Sequence, residues 1–212
     1  MIEGIKNIIF DLGGVILNID YQKPIVAFKK LGIDVSKLNY SKQSQEQLFD
    51  LLETGQIEED EFVHSINSIS GLQIEKQKII DAWNSILLDF PLRRLQILQQ
   101  LQLHYNMYLC SNTNSIHERA FNKLLFETCG YPTLALFFDR LYLSHRVHLR
   151  KPDVAIFELI LKENNLIPEE TLFLDDSEQH IDSAKSLGIQ TIHIKDGLTI
   201  EKDIFLQKNI DA

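Results

Sequence analysis

Four short stretches carry side chains whose chemistry makes sense when they are read together. Asp11 is followed by Leu12, Gly13 and Gly14, and a carboxylate beside two glycines lets backbone amides come close to a ligand, which suits a nucleophile on a loop. Ser111-Asn112-Thr113-Asn114 is a cluster of hydroxyls and amides that can meet phosphate oxygens. Arg150-Lys151-Pro152 sets a cation just outside a helix whose first turn suits proline. Asp175 and Asp176 are adjacent acids, and a bound divalent cation explains two neighbouring like charges better than a turn does. Each stretch alone has a plainer reading: a turn acid, a capping cluster, a solvated lysine. Jointly they supply a nucleophile, a phosphate-binding hydroxyl, a positive charge and a metal-binding acid, which are the parts of a phosphoryl-transfer site.

Those parts need a frame that gathers them. Short, largely apolar runs at 5–10, 107–110, 140–143, 171–174 and 190–194, each closed by polar or glycine-bearing residues, read as buried parallel strands. Helix-length segments lie between the later ones at 115–128, 153–164 and 178–187, the last with Ser177 as N-cap and Gly188 as C-cap. This alternation predicts an α/β fold with a Rossmann-like parallel sheet and right-handed crossovers, whose ligands bind at the carboxyl ends of the strands. From 21 to 89 no strand-like run occurs, and helical periodicity recurs at 23–31, 45–52, 58–69 and 75–88, with turns at Gly32, Gly55 and Gly71. The expected organisation is a core of residues 1–16 and 91–212 with a small all-helical cap, residues 17–90, inserted after the first strand.

With these residues in view, the sequence resembles the haloacid-dehalogenase-like superfamily. Its four motifs stand in order as FDLGGVI (10–16), LCSNTN (109–114), RKP (150–152) and FLDDSEQH (173–180). The resemblance spans nearly the whole chain and is strongest to a DLGN or DLGG branch that includes sugar-1-phosphate phosphatases. It implies that Asp11 is the nucleophile that takes the phosphoryl group. Ser111, with Asn112, Gly13 and Gly14, would bind that group, and Lys151 would neutralise its oxygens. Mg²⁺ would be held by the Asp11 and Asp176 carboxylates, the Gly13 carbonyl and water, with Asp175 outside the metal's ligands or bound to Lys151. His180 stands where the family usually has Asp or Asn, either as a surface residue of a first helical turn or within reach of the metal's water shell.

The pattern breaks at Gly13, where phosphatases of the family usually carry a second Asp that protonates the leaving alcohol. Loss of such a group costs on the order of 10²–10⁴ in rate. Three readings stay open: a slow or selective phosphatase, a non-catalytic phosphometabolite-binding or regulatory protein, and a dehalogenase in which Asp11 attacks carbon. The acid pair Asp175–Asp176 speaks against the last, whose chemistry needs no metal.

Composition narrows the partners. With 44% apolar residues in 212 and a formal net charge of -9, the chain has no electrostatic footprint for nucleic acid or an anionic membrane, and the expected ligand is a small phosphorylated metabolite. Cys110 and Cys129 lack metal-ligand spacing and read as reduced thiols, and no apolar run reaches spanning length, so a cytoplasmic protein is expected. Specificity would come from cap side chains; Tyr21, Glu46 and Trp83 are candidates that spacing does not place. The oligomeric state is left open.

Overall fold

The computed structural model describes residues 2–38, 47–195, 197–201 and 205. Glu46 lies outside them. Five strands form the sheet: β1 (Asn7–Phe10), β2 (Asn106–Ser111), β3 (Arg140–Leu143), β4 (Thr171–Asp175) and β5 (Gln190–His193). They pair in parallel in the order β3-β2-β1-β4-β5. The central strand β1 is buried along its whole length, as its unbroken apolar run requires of a strand covered on both faces. Side-chain alternation divides the core into two layers. Ile8, Phe10, Met107, Leu109, Leu172 and Leu174 pack on one face, while Ile9, Tyr108, Cys110 and Phe173 pack on the other.

Helices cover both faces. Helices α5 (Leu92–Leu101) and α6 (Ser115–Cys129) lend Leu95, Leu98, Phe121 and Leu125 to the first layer, and α8 (Val154–Glu163) and α9 (Glu178–Ser186) lend Ile156, Phe157, Ile160 and Ile181 to the second. The register pairs Phe10 with both Leu109 and Leu174. Asp11, Ser111 and Asp175 therefore emerge along one edge, at the carboxyl ends of neighbouring strands, where ligands bind in open α/β sheets.

Between β1 and α5 run α1 (Gln22–Lys30), α2 (Gln47–Glu53), α3 (Glu59–Ser70) and α4 (Lys76–Asn84). They enclose a separate apolar cluster built around Phe28, Phe49, Phe62 and Trp83, to which α6 contributes Ile116. Phe49 and Trp83 stand 5.0 Å apart, centroid to centroid, so the aromatic rings supply much of this small core. Gly32, Gly55 and Gly71 all adopt positive φ at the turns expected of them.

Three local expectations differ from the structure. The helix expected over 75–88 stops at Asn84, because the returning chain pairs with the outgoing one: Asp20 N donates to Ile86 O, Leu88 N to Asn18 O and Asn18 N to Asp89 O. Interstrand bonds there satisfy backbone groups that a longer helix would have used internally. Ser177 precedes α9, but its side chain makes no capping bond; its amide donates instead to Asp175 Oδ1. Pro152, placed by sequence in a first helical turn, lies outside α8, whose N-cap is Asp153 accepting from Ala155 N.

Candidate active site

The loop after β1 is held by its own backbone. Leu12 O accepts from the amides of Val15, Ile16 and Leu17, and Gly14 N donates to Leu17 O at 2.8 Å. The Gly14 amide is thus already engaged, so the structure gives it a part other than the phosphate contact expected from sequence. Gly14 has φ +76°, and a Cβ there would lie 2.8 Å from Asp176 Oδ2; the residue is a cradle for an acid. Gly13 lines the cavity and has no positive φ. A Cβ on it would meet Ile19 Cδ1 at 2.9 Å, so an isoleucine covers the place from which an acid at position 13 would project.

Lys151 is the organising charge. It is wholly buried, and its Nζ donates to Asp11 Oδ1 at 2.8 Å and to Asp175 Oδ2 at 2.6 Å. A buried ammonium is tolerated only when so paired. Burial opposes its charge, but Asp11 and Asp175 outweigh that and hold the ammonium above its ordinary value. Burial would also raise Asp175, yet Lys151 and the His180 hydrogen bond bring it down to about 2. For Asp11, burial raises the carboxyl, Lys151 pulls it back, and Asp175 and Asp176 push it up again, to about 7. The two acids sharing one lysine are therefore driven apart, Asp175 firmly ionised and Asp11 balanced near neutrality.

The other residues singled out by sequence take distinct places. Asn112 Nδ2 donates to Lys151 O at 2.8 Å while its Oδ1 accepts from Lys151 N at 2.9 Å. Its side-chain amide therefore fixes the lysine's backbone, and the direct phosphate contact expected of it is not what this geometry offers. Ser111 is buried at the end of β2 and lines the cavity; its hydroxyl makes no hydrogen bond among the described residues. Asn114 caps α6 by accepting from His117 N, and Ser144, in the short helix α7 (Ser144–Val147), ties down Thr113 by bonding both its N and its O. His180 Nδ1 lies 3.0 Å from both oxygens of Asp175 and must donate there, since a carboxylate only accepts. Asp11, Asp175 and Asp176 offer carboxylate oxygens all within 4.8 Å of one another.

Above this edge opens a cavity of about 580 Å³, closed on its far side by Tyr21, Asp50, Glu53, Trp83, Ile86 and Leu87. Sequence did not signal three features of this region. Arg150 reaches from the core to Asp50 and, at 3.1 Å, to Glu53 of α2; the spacing of the two acids, three apart on one face of a helix, was the available cue. His193 Nε2 donates to Asp176 O at 3.2 Å. His117 stacks on Trp83 with centroids 4.6 Å apart. Its Nδ1 accepts from Asn114 Nδ2, so its Nε2 carries the proton and donates to Trp83 O at 3.3 Å. Burial lowers this imidazole to about 4, and with both ring nitrogens occupied it gives no proton to the cavity.

Known proteins are similar to this chain in sequence and fold. Residues 5–188 match the family model described as haloacid dehalogenase-like hydrolase. The chain is 36% identical over 193 residues, 91% of this chain and 93% of the relative, to D-ribitol-5-phosphate phosphatase from Bacteroides thetaiotaomicron. The HAD family enzyme BT-2542 from the same organism, solved in complex with magnesium and inorganic phosphate, superposes with a TM-score of 0.84 at 35% identity, covering 92% of this chain and 97% of that one. A predicted HAD-like family hydrolase from Porphyromonas gingivalis superposes with a TM-score of 0.82 at 30% identity, covering 92% of this chain and 93% of that one. Motif order, parallel sheet, buried lysine and family match converge, and the chain belongs to the haloacid dehalogenase-like hydrolases.

Proposed function

We propose that the protein is a magnesium-dependent phosphatase of small phosphate monoesters, sugar or polyol phosphates among them, working through an aspartyl-phosphate on Asp11. The observation that carries this reading is Lys151, buried between the Asp11 and Asp175 carboxylates in the wall of a metabolite-sized cavity. Three clustered acids share one ammonium, and a divalent cation would supply the positive charge that favours the ionised form of Asp11. Asp11 and Asp176, with the Gly13 carbonyl, would hold Mg²⁺, as the motif resemblance implies, while Asp175 serves Lys151, His180 and the Ser177 amide. Bound there, the ion supplies charge neutralisation for the phosphoryl oxygens.

The chain's own residues do the rest. An Asp11 oxygen attacks phosphorus, the bond to the ester oxygen breaks, and the departing alkoxide is protonated from water. Water then attacks the acyl-phosphate, releasing inorganic phosphate and restoring Asp11. Lys151 orients Asp11 and offsets charge on the transferring group, and Ser111 donates its hydroxyl to a phosphoryl oxygen. Helices α1–α4, residues 17–90, act as the cap over this site on residues 1–16 and 91–212. A relative that acts on ribitol 5-phosphate supports a polyol or sugar ester as substrate. Among the described residues no helix is long and apolar enough to cross a membrane, and the two cysteines are free thiols; a cytoplasmic location goes with this reading. The decisive experiment is phosphate release by wild type and Asp11→Asn with Mg²⁺. The amide is nearly isosteric but forms no acyl-phosphate, so release is lost while the fold persists. Full turnover by folded Asp11→Asn would overturn the assignment.

A further inference from the structure

We infer that the Thr113 hydroxyl determines specificity: it faces the leaving-group end of the cavity and shares a hydrogen bond with a hydroxyl of the departing alcohol, so the preferred ester is one whose alcohol is itself hydroxylated. The inference rests on the phosphatase reading and specifies the class of ester.

The four polar residues at the end of β2 divide between scaffold and cavity. Both amides are committed within the protein, Asn112 to the Lys151 backbone and Asn114 to the amide and ring of His117. The backbone of Thr113 is committed as well: its N donates to Ser144 Oγ, and its O accepts from the same hydroxyl, both at 2.9 Å. Ser144 is wholly buried, so Thr113 is held from both of its backbone polar groups. What remains is its own hydroxyl. The residue is 4% exposed and lines the cavity. Its hydroxyl makes no hydrogen bond among the described residues, yet it is not sealed from solvent. A hydroxyl carried by so fixed a backbone keeps its geometry, which recognition of a ligand by hydrogen bonding needs.

Its place selects the partner. Thr113 stands two residues beyond Ser111 and immediately before the N-cap of α6. The first turn of that helix meets the cap: Ile116 enters the cap's apolar cluster, and His117 stacks on Trp83 and donates to its carbonyl. Thr113 therefore lies where core and cap adjoin, on the side of the cavity that receives the alcohol, while Asp11, Ser111 and Lys151 serve the phosphoryl group. A hydroxyl both donates and accepts, which suits another hydroxyl, whereas phosphoryl oxygens only accept. Once a ligand fills the cavity, this hydroxyl loses its access to solvent. The bound alcohol must then offer it a partner or leave it buried and unpaired, which is how such a site rejects analogues that lack the group.

The test measures kcat/KM with Mg²⁺ on D-ribitol 5-phosphate, on n-pentyl phosphate, which has the same carbon chain without hydroxyls, and on p-nitrophenyl phosphate. Wild type should favour the ribitol ester over the pentyl ester. Thr113→Val should lower that ribitol-to-pentyl ratio roughly 2- to 12-fold, the worth of one neutral hydrogen bond, and Thr113→Ser, which keeps the hydroxyl, should retain it. The urea midpoint of Thr113→Val should be no lower than that of wild type, because no bond within the protein is removed. Hydrolysis of none of the three esters by wild type would refute the phosphatase reading and this inference with it. If wild type hydrolyses the aryl ester but treats the ribitol and pentyl esters alike, or if Thr113→Val slows all three by one factor, the inference is wrong while the phosphatase stands. Should Thr113→Val not fold, Thr113→Ala and Thr113→Ser take its place, since both lose the methyl and only the first loses the hydroxyl. The ratio then falls in Thr113→Ala alone, and equal ratios in the two variants overturn the inference.

Discussion

Position 13 offers the sharpest test of how this site handles the leaving group. A glycine in place of a proton-donating acid could reflect backbone geometry that only glycine adopts, but Gly13 has no positive φ. What opposes a side chain is one atom: a Cβ would stand 2.9 Å from Ile19 Cδ1, whereas Ile19 Cγ2 and Cγ1 lie at 3.6 and 3.7 Å, ordinary contact distances. Ile19→Val removes that one atom at a cost of about 0.5–1.5 kcal/mol. The double variant Gly13→Asp/Ile19→Val should therefore accommodate the acid, while Gly13→Asp alone must first displace the Ile19 terminus. General acid catalysis contributes about 10²–10⁴ where the departing oxygen needs a proton, and little where it does not. The readout is the ratio of kcat/KM on an alkyl phosphate to that on an aryl phosphate, for wild type, Ile19→Val, Gly13→Asp and the double variant, each checked for folding and Mg²⁺-dependent stabilisation. The ratio should rise at least about tenfold in the double variant, or about 1.4 kcal/mol of transition-state stabilisation, and less in Gly13→Asp alone. A folded, Mg²⁺-binding double variant that speeds or slows both esters alike would show that proton donation is not what the site lacks.

Three further outcomes follow from the same geometry. Asp176→Ala should abolish Mg²⁺-dependent activity and Mg²⁺-induced thermal stabilisation together, and Gly14→Ala should weaken both by crowding the Asp176 carboxylate; full stabilisation of Asp176→Ala by Mg²⁺ would transfer the ligand role to Asp175. Lys151→Met should lose activity and about 3–5 kcal/mol of stability in urea, since it strands two buried carboxylates, and added Mg²⁺ should recover part of that. His117 has its folded value lowered to about 4 from 6.5, so the unfolded chain takes up the proton first. Its stabilising effect is complete above 6.5 and is lost as pH falls toward 4, about 3 kcal/mol in all; urea melts at about pH 7.5 and pH 5 should show a steeper loss in wild type than in His117→Gln.

The sheet was legible because each strand is a short, largely apolar run closed by polar or glycine-bearing residues, as a strand covered on both faces requires. Asp11, Asp175 and Asp176 were legible because they stand at or just after strand ends, and strands in such folds end at one edge, whereas Lys151 comes to that edge from beyond the short helix α7. What spacing could not supply is which side chain answers which. Asn112 sits in a phosphate-binding motif yet spends both ends of its amide on the Lys151 backbone, a pairing across 39 residues set by how the two loops meet. Arg150 finds Asp50 across 100 residues, which requires the rotational phase of α2 against the core. Helix α4 ends early for a similar reason: the backbone at 86–89 is claimed by residues 18–20, and no propensity at those positions announces a partner so distant in sequence.

The pairing of those two linkers bears on how the chain tolerates change. Because the outgoing and returning segments are hydrogen-bonded to each other at 18–20 and 86–89, the chain enters and leaves the helical segment as a closed pair. Lengthening or shortening the segment between them shifts no register in β1 or β2. The added closure entropy grows only with the logarithm of its length, about 0.6 kcal/mol per doubling. Insertions and deletions at turns of the helical segment that make no contact with the core, such as Gly71, where a Cβ would meet nothing within 4 Å, are thus cheap for the sheet. Divergence within the lineage should accumulate there, leaving the catalytic edge untouched.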